Sequence, residues 1–195
     1  MCITVSASLQ RLHQLAWQPG QWMDSEWWQS MSLQPWQESY RRHPALRPAL
    51  DALIVSRRGF PLQALPASLT PLQEQLLALE SRLPRLCMAL GLLALSCPDY
   101  LLMGDYRRQL SSVLGTHGCD LLLALGGFPD QQSPTLTPEE LAAKALARGI
   151  AWLRHSAGDC VVCQTLAITL PPEPELAVPE LGPAFPWLLR IGRFL

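Results

Sequence analysis

Cys160-Val161-Val162-Cys163 is the strongest chemical spacing in the chain, a pair of thiols two residues apart. A dithiol at this spacing exchanges with disulfides when its first thiol is ionised. It also supplies half the ligands of a tetrahedral zinc. A redox site of this type opens a helix after a strand within an α/β unit, and no such unit precedes Cys160. Zinc needs two further ligands. His155, His117 and Cys119 are candidates, but there is no second CxxC. The third reading is that these are buried thiols. It fits a large apolar chain with six cysteines, at positions 2, 87, 97, 119, 160 and 163. The start, Met1-Cys2-Ile3-Thr4-Val5-Ser6, lacks the basic, then apolar pattern of an export leader. Free, reduced cysteines in a cytosolic protein are therefore expected.

The other reactive side chains do not assemble into a motif. His13, His43, His117 and His155 are scattered, without metal-ligand spacing. Lys144 is the one lysine and follows no glycine-rich run, so there is no phosphate loop. Gly126-Gly127 lacks the remaining glycines of a dinucleotide fingerprint. No GxSxG elbow occurs. Asp99 and Asp105, like Glu139 and Glu140, read as acids at helix starts. No catalytic, cofactor-binding or metal-binding residue is assigned, no cofactor is expected, and the chain reads as a non-enzyme.

Charge and hydropathy exclude further classes. The formal net charge is −1, with 14 Arg and one Lys. No basic excess exists to neutralise nucleic-acid phosphates. The longest apolar run, Leu86 to Cys97, is 12 residues. A membrane-spanning helix needs about 20, so this run reads as a buried core helix, and no membrane insertion is expected.

The elements that position these groups are helical by composition. The 195 residues include 39 Leu against 11 Ile and Val together. Leu keeps rotamer freedom in helices, whereas β-branched residues favour strands. The expectation is an all-α, irregular Leu-rich bundle, read as a single helical domain over 1–195. Leu9, Leu12 and Leu15 mark a first helix, Asp24 to Leu33 a second, and the region from Pro48 to Ser56 a third. Thr70-Pro71-Leu72-Gln73 is a capping box with proline at the first helical position. From it, Leu72, Leu76, Leu79, Leu83, Leu86, Leu90 and Leu93 recur at spacings of four and three. One long helix is expected there, kinked at Pro84. Another helix runs from Asp99 to about Leu114, and a short one from Asp120 to Leu125. Phe128 to Thr137 reads as a mobile loop. Thr137-Pro138-Glu139-Glu140 is a second capped start, for a helix to about His155. In 160–170 helix and strand are both open. Leu166, Ile168 and Leu170 alternate with polar or small residues as in a strand, and Ile3-Thr4-Val5 would be its partner in a short two-stranded β pairing. Six prolines mark 171–186 as an extended segment, before a last short helix from Trp187.

Two residue classes suit a protein partner. Five tryptophans crowd into 17–36, and Trp is enriched where interfaces concentrate their energy. Trp27 and Trp28 are the candidates there, against the alternative that the tryptophans wedge into the core. Arg41, Arg42, Arg107 and Arg108 form two doublets whose forked guanidinium groups suit carboxylates and carbonyls, against the alternative of solvated surface arginine.

In length, order and helical pattern the chain resembles the small cytosolic sorting-platform subunit of bacterial type III secretion systems, the SctK family. Three stretches carry the resemblance: Thr70 to Leu114 with its PRLCMALGLLALSC centre and the following DYRRQL, the later helix EELAAKALARGIAWL, and QTLAITLPP entering a Pro-rich tail. The resemblance implies a non-enzymatic, monomeric adaptor of the injectisome. Such an adaptor links the cytosolic domain of the inner-membrane ring protein to the pod protein, and is held at the inner membrane by protein contacts alone. A helical secretion chaperone and a thiol-redox enzyme acting through Cys160 and Cys163 are the alternatives.

Overall fold

Three helix starts are built as their residues dictate. The Ser6 hydroxyl accepts from the Leu9 N–H at 3.2 Å and caps the first helix. At Thr70 the box is reciprocal: Gln73 N–H donates to Thr70 Oγ1 at 3.3 Å, and Thr70 N–H to Gln73 Oε1 at 2.9 Å. Thr137 and Glu140 repeat it at 3.4 and 3.1 Å. Each box satisfies two N–H groups that the first helical turn leaves without partners.

The computed structural model describes residues 6–61, 64–126, 128, 132–158, 160–172 and 182–195. Among them the chain is all-α. In order, the helices are α1 (Ala7–Trp17), α2 (Pro19–Trp22), α3 (Glu26–Ser30), α4 (Gln37–Arg42), α5 (Arg47–Arg58) and α6 (Pro71–Ala78). There follow α7 (Leu83–Leu95), α8 (Asp99–Leu102), α9 (Gly104–Leu114), α10 (Thr116–Leu125), α11 (Pro138–Ala157), α12 (Val161–Leu166) and α13 (Ala184–Ile191). Short 3₁₀ turns lie between several of them.

Several expectations are corrected. The Leu-rich stripe is not one kinked helix. It breaks at Leu79, passes through a 3₁₀ turn at Glu80–Arg82, and restarts as α7 with Pro84 in its first turn. Proline is tolerated there because the N–H it lacks has no helical partner anyway. The stretch from Cys160 is helix α12 followed by a 3₁₀ turn at Ala167–Thr169, not a strand. Thr165 Oγ1 donates back to Val161 O at 2.7 Å and Thr169 Oγ1 to Leu166 O at 2.8 Å, bonds that only a helical backbone brings within reach. Ile3-Thr4-Val5, its expected partner, lies outside the described residues. The last helix begins at Ala184, so Pro186 belongs to its first turn and not to an extended segment. Most of that segment, 173–181, lies outside the described residues. The second half of the 128–137 loop is pinned: Tyr100 Oη accepts from Thr135 N–H at 3.0 Å and Leu136 N–H at 3.1 Å, and Tyr106 Oη donates to Leu136 O at 2.7 Å.

The chain packs as two compact units, Met1–Glu80 with Asp159–Pro172, and Ser81–Gly158 with Glu173–Leu195. The first holds many short helices around Met23, Trp28, Leu33, Tyr40, Leu50, Ile54 and Ile168. Its C-terminal piece is tied to its N-terminal one: Asp24 N–H donates to Ile168 O at 2.9 Å and Trp27 Nε1 to Leu170 O at 2.8 Å.

The second unit is organised by the pairing of α7 with α11. Leu86, Leu90 and Leu93 are buried, with Cys87, Met88, Ala89, Gly91 and Leu92, so this turn of α7 has no solvent face. The helices cross with their backbones in contact. A Cβ on Gly91 would stand 1.7 Å from Ala145 O, and one on Gly149 would stand 1.7 Å from Cys87 O. Cys87 and Gly91, like Ala145 and Gly149, are four apart, which puts small residues on one face of each helix. Trp152 closes the core, its Nε1 donating to Gly182 O at 2.8 Å.

Candidate interaction surfaces

In the first unit, α1 passes into α2 at Gln18, and the Gly20 N–H, in the first turn of α2, meets Asp51 of α5. Asp51 is 4% exposed. Its Oδ1 accepts from Gly20 N–H at 2.9 Å, and the Tyr40 hydroxyl reaches both carboxylate oxygens at 3.1 Å. Burial pushes the Asp51 carboxyl above its ordinary value, while the Gly20 N–H and the Tyr40 hydroxyl oppose that rise. Tyr40 is pushed up in turn, by burial first and then by the Asp51 charge beside it. Arg47 Nε donates to Tyr40 O at 3.1 Å, and its guanidinium lies 5.6 Å from the Tyr40 ring centre.

This cluster floors a cleft of about 610 Å³ lined by Trp17, Gln21, Tyr40, Arg47, Pro48 and Asp51. Trp17 is 48% exposed, and Trp36, in a 3₁₀ turn, 50%. Neither is singled out by sequence, although Trp17 falls off the Leu9, Leu12, Leu15, Ala16 face that buries α1. Elsewhere in this unit, Arg11 forms a two-pronged pair with Glu80, at 2.8 and 2.5 Å, and stacks 3.7 Å above the Trp22 ring centre. That arrangement holds α1 to the end of the unit's helical chain.

The sequence-derived candidates divide by burial. Trp28 is buried, edge-on to Tyr40 with ring centres 5.4 Å apart. Trp27 is partly buried and anchored by its bond to Leu170 O. Both hold the core of the first unit. Arg41 and Arg42 are exposed, at the C-terminal turn of α4, and Arg42 pairs with Glu38 at 2.6 Å. In the second unit Arg107 turns inward: it donates to Leu101 O at 3.1 Å and pairs with Asp120 at 2.5 Å. Hydrogen bonding to Asp120 raises its affinity for its proton further. Arg108 remains outside, its side chain 81% exposed and 3.5 Å from Asp105. Leu102, Met103 and Val113 add exposed apolar surface along α8 and α9. Trp27, Trp28, Arg41 and Arg42 thus belong to the first unit, and Arg107 and Arg108 to the second.

Among the described residues no group of three or more His, Cys, Asp or Glu is placed to hold a metal ion. His117 and His155 are exposed, and Cys119 is buried with its sulfur 3.9 Å from Ser111 Oγ. Cys87, Cys97 and Cys119 are buried free thiols pushed up chiefly by desolvation, Cys87 to about 12. No described helix is long and apolar enough to cross a membrane.

A family model described as a type III secretion system subunit matches residues 10–172, most of the chain, and the protein belongs to that family. No curated protein and no solved structure matches it.

Proposed function

We propose that this subunit is a non-enzymatic adaptor of the sorting platform, of the SctK type. In this reading it binds the cytosolic domain of the inner-membrane ring protein on one surface and the pod protein on another. It stays in the cytoplasm, held at the inner membrane by those contacts, and is monomeric when free. The family match over residues 10–172 carries the reading. The half-exposed Trp17 and Trp36, the cleft beside Asp51, and the exposed Arg41, Arg42 and Arg108 supply surfaces of the composition interfaces favour.

The test is binding by the full chain to each purified partner, together with deletion of its gene. Deletion should stop secretion and release the pod protein from the membrane base. Trp17→Ala with Trp36→Ala should weaken one partner about tenfold or more, as loss of an aromatic anchor does. Arg108→Glu should leave helicity unchanged. A chain that binds neither partner, in a strain that secretes normally without it, refutes the adaptor.

A further inference from the structure

The cleft floored by Asp51 has a neighbour in the first unit. A second cavity of about 220 Å³ adjoins it, and Gln21, Tyr40 and Arg47 line both. The walls of the larger one are apolar at Trp17, Pro48, Ala52 and Val55, while Arg41 lines the smaller. The charge of this double trough is one-sided. Arg41 and Arg47 are its cations and Asp51 its acid, among the described residues. Asp51 is buried, and its carboxylate already accepts from the Gly20 N–H and the Tyr40 hydroxyl. Arg41 is exposed and Arg47 half-buried, and neither has an ion pair among the described residues.

We propose that this trough docks an extended, acidic segment of a protein partner, with an apolar side chain against Trp17 and carboxylates on Arg47 and Arg41. The proposal rests on the adaptor reading, because it names what one partner presents to the cleft. It commits that partner to a negatively charged stretch, which the adaptor reading alone does not require.

Three features carry it. First, Arg47 is set in place before anything binds. Its Nε donates to Tyr40 O at 3.1 Å and its Nη2 to Arg41 O at 3.2 Å. These bonds fix the guanidinium plane and leave Nη1 without a described partner, so a carboxylate meets a fork that has little freedom left to lose. Second, Trp17 is 48% exposed beside that fixed cation, and a tryptophan flanked by arginine is the composition of an interface anchor. Third, the other anions fit less well. A nucleic acid also uses arginine and aromatic rings, but needs cations all along its backbone, and two arginines in a chain of formal net charge −1 do not supply them. A small free anion would leave the walls at Trp17 and Val55 uncovered. A peptide with alternating apolar and acidic side chains satisfies both ends.

The test is fluorescence anisotropy of the full chain with a labelled peptide of Glu-Leu-Pro repeats. Matched peptides carry glutamine or lysine in place of every glutamate, and a labelled oligothymidylate stands for nucleic acid. The acidic peptide should bind saturably and more weakly as salt rises, with both counterparts at least about tenfold weaker. Arg41→Glu and Trp17→Ala, both at exposed side chains that the fold does not use, should each weaken it about tenfold. Arg47→Ala should weaken it at least as much, but also frees Tyr40 O and Arg41 O, so its helicity is checked by circular dichroism. Equal binding of the glutamine peptide, wild-type binding by Arg41→Glu and Trp17→Ala together, or tighter binding of the oligothymidylate would each overturn the proposal. An excess of the acidic peptide should also displace one of the two purified partners. Displacement of neither, with both still bound, overturns the docking and leaves the adaptor standing. The peptide measurements use no secretion partner, so their failure is distinct from a chain that binds neither partner, which refutes the adaptor itself.

Discussion

The two units reach a buried core by opposite means. In the second, α7 and α11 approach until backbone meets backbone, and Leu side chains fill what remains around the crossing. At this crossing stability rests on shape, while the unit's polar bonds, such as Trp152 to Gly182 O and Arg107 to Asp120, lie around it. In the first, short helices are joined by side chains reaching across: Asp51 to Gly20 and Tyr40, Arg11 to Glu80 and Trp22, Arg57 to Met31 O, Arg58 to Gln164 O. Polar bonds are directional but individually modest. The first unit should therefore tolerate any one change better, and it is the one that carries Trp17, Trp36, the cleft and the half-buried Cys160.

The sharpest way to break this contrast is Gly149→Val. Its branched side chain would start 1.7 Å from Cys87 O, in backbone that cannot yield without separating α7 from α11. A loss of about 4 kcal/mol, above the usual range of about 1–3 for overpacking because the obstacle is backbone, is expected in urea denaturation. A change below about 1 kcal/mol would show that the helices do not cross there. Leu90→Ala follows, at about 2–5 kcal/mol, because Leu90 is fully buried and its neighbours are held by the same crossing.

In the first unit Asp51→Ala should cost about 2–3 kcal/mol, since it strands the buried Tyr40 hydroxyl and the Gly20 N–H. Tyr40→Phe should cost about 1 kcal/mol, because Asp51 keeps its backbone donor. If Asp51→Ala proved as damaging as Gly149→Val, the two units would not differ in kind. The capping threonines serve as an internal control, one in each unit. Thr70→Ala and Thr137→Ala should each cost about 1 kcal/mol, because the same local bonds are lost whatever the surrounding core.

Local chemistry is what sequence made legible. Thr70-Pro71 and Thr137-Pro138 start helices as read, because a capping box is decided within four residues. The burial of Leu86, Leu90 and Leu93 follows from a stretch with no polar face. The break at Leu79 was not legible, because the heptad spacing runs on through it and Pro84 fits a first turn as well as a kink. The alternation from Thr165 to Leu170 imitates a strand, and only the back-bonds of Thr165 and Thr169 show the helical backbone beneath it. The interaction residues were least legible. Arg107 and Arg108 are neighbours of one type, yet Asp120 and Leu101 O draw the first inward and leave the second in water. The small-residue faces Cys87/Gly91 and Ala145/Gly149 were present as a spacing, but one that gains meaning only when two helices are paired.

The smallest expected effect separates the units by the pH response of their cysteines. Cys160 in the first unit is held down to about 6, while an unfolded thiol titrates near about 8.5. Above that unfolded value both states are ionised, and the bonds to the Cys160 thiolate stabilise the fold in full. As pH falls from about 8.5 towards 6, the unfolded chain takes up a proton that folded Cys160 refuses, so this contribution declines, and it is gone below 6. Cys160 is half-buried, so solvent screening reduces the effect to a few tenths of a kcal/mol per pH unit. Cys87 in the second unit has the opposite sign and a different window. Pushed up to about 12 by burial, it is neutral in both states below about 8, and costs stability only as the unfolded thiol ionises at higher pH. Urea midpoints measured between pH 6 and 8 should therefore rise slightly with pH in the wild type and lose that slope in Cys160→Ser, with Cys87→Ala keeping it. An unchanged slope in Cys160→Ser would mean that the folded chain does not hold the Cys160 thiol below its ordinary value, and the two units would then not differ in the pH response of their cysteines.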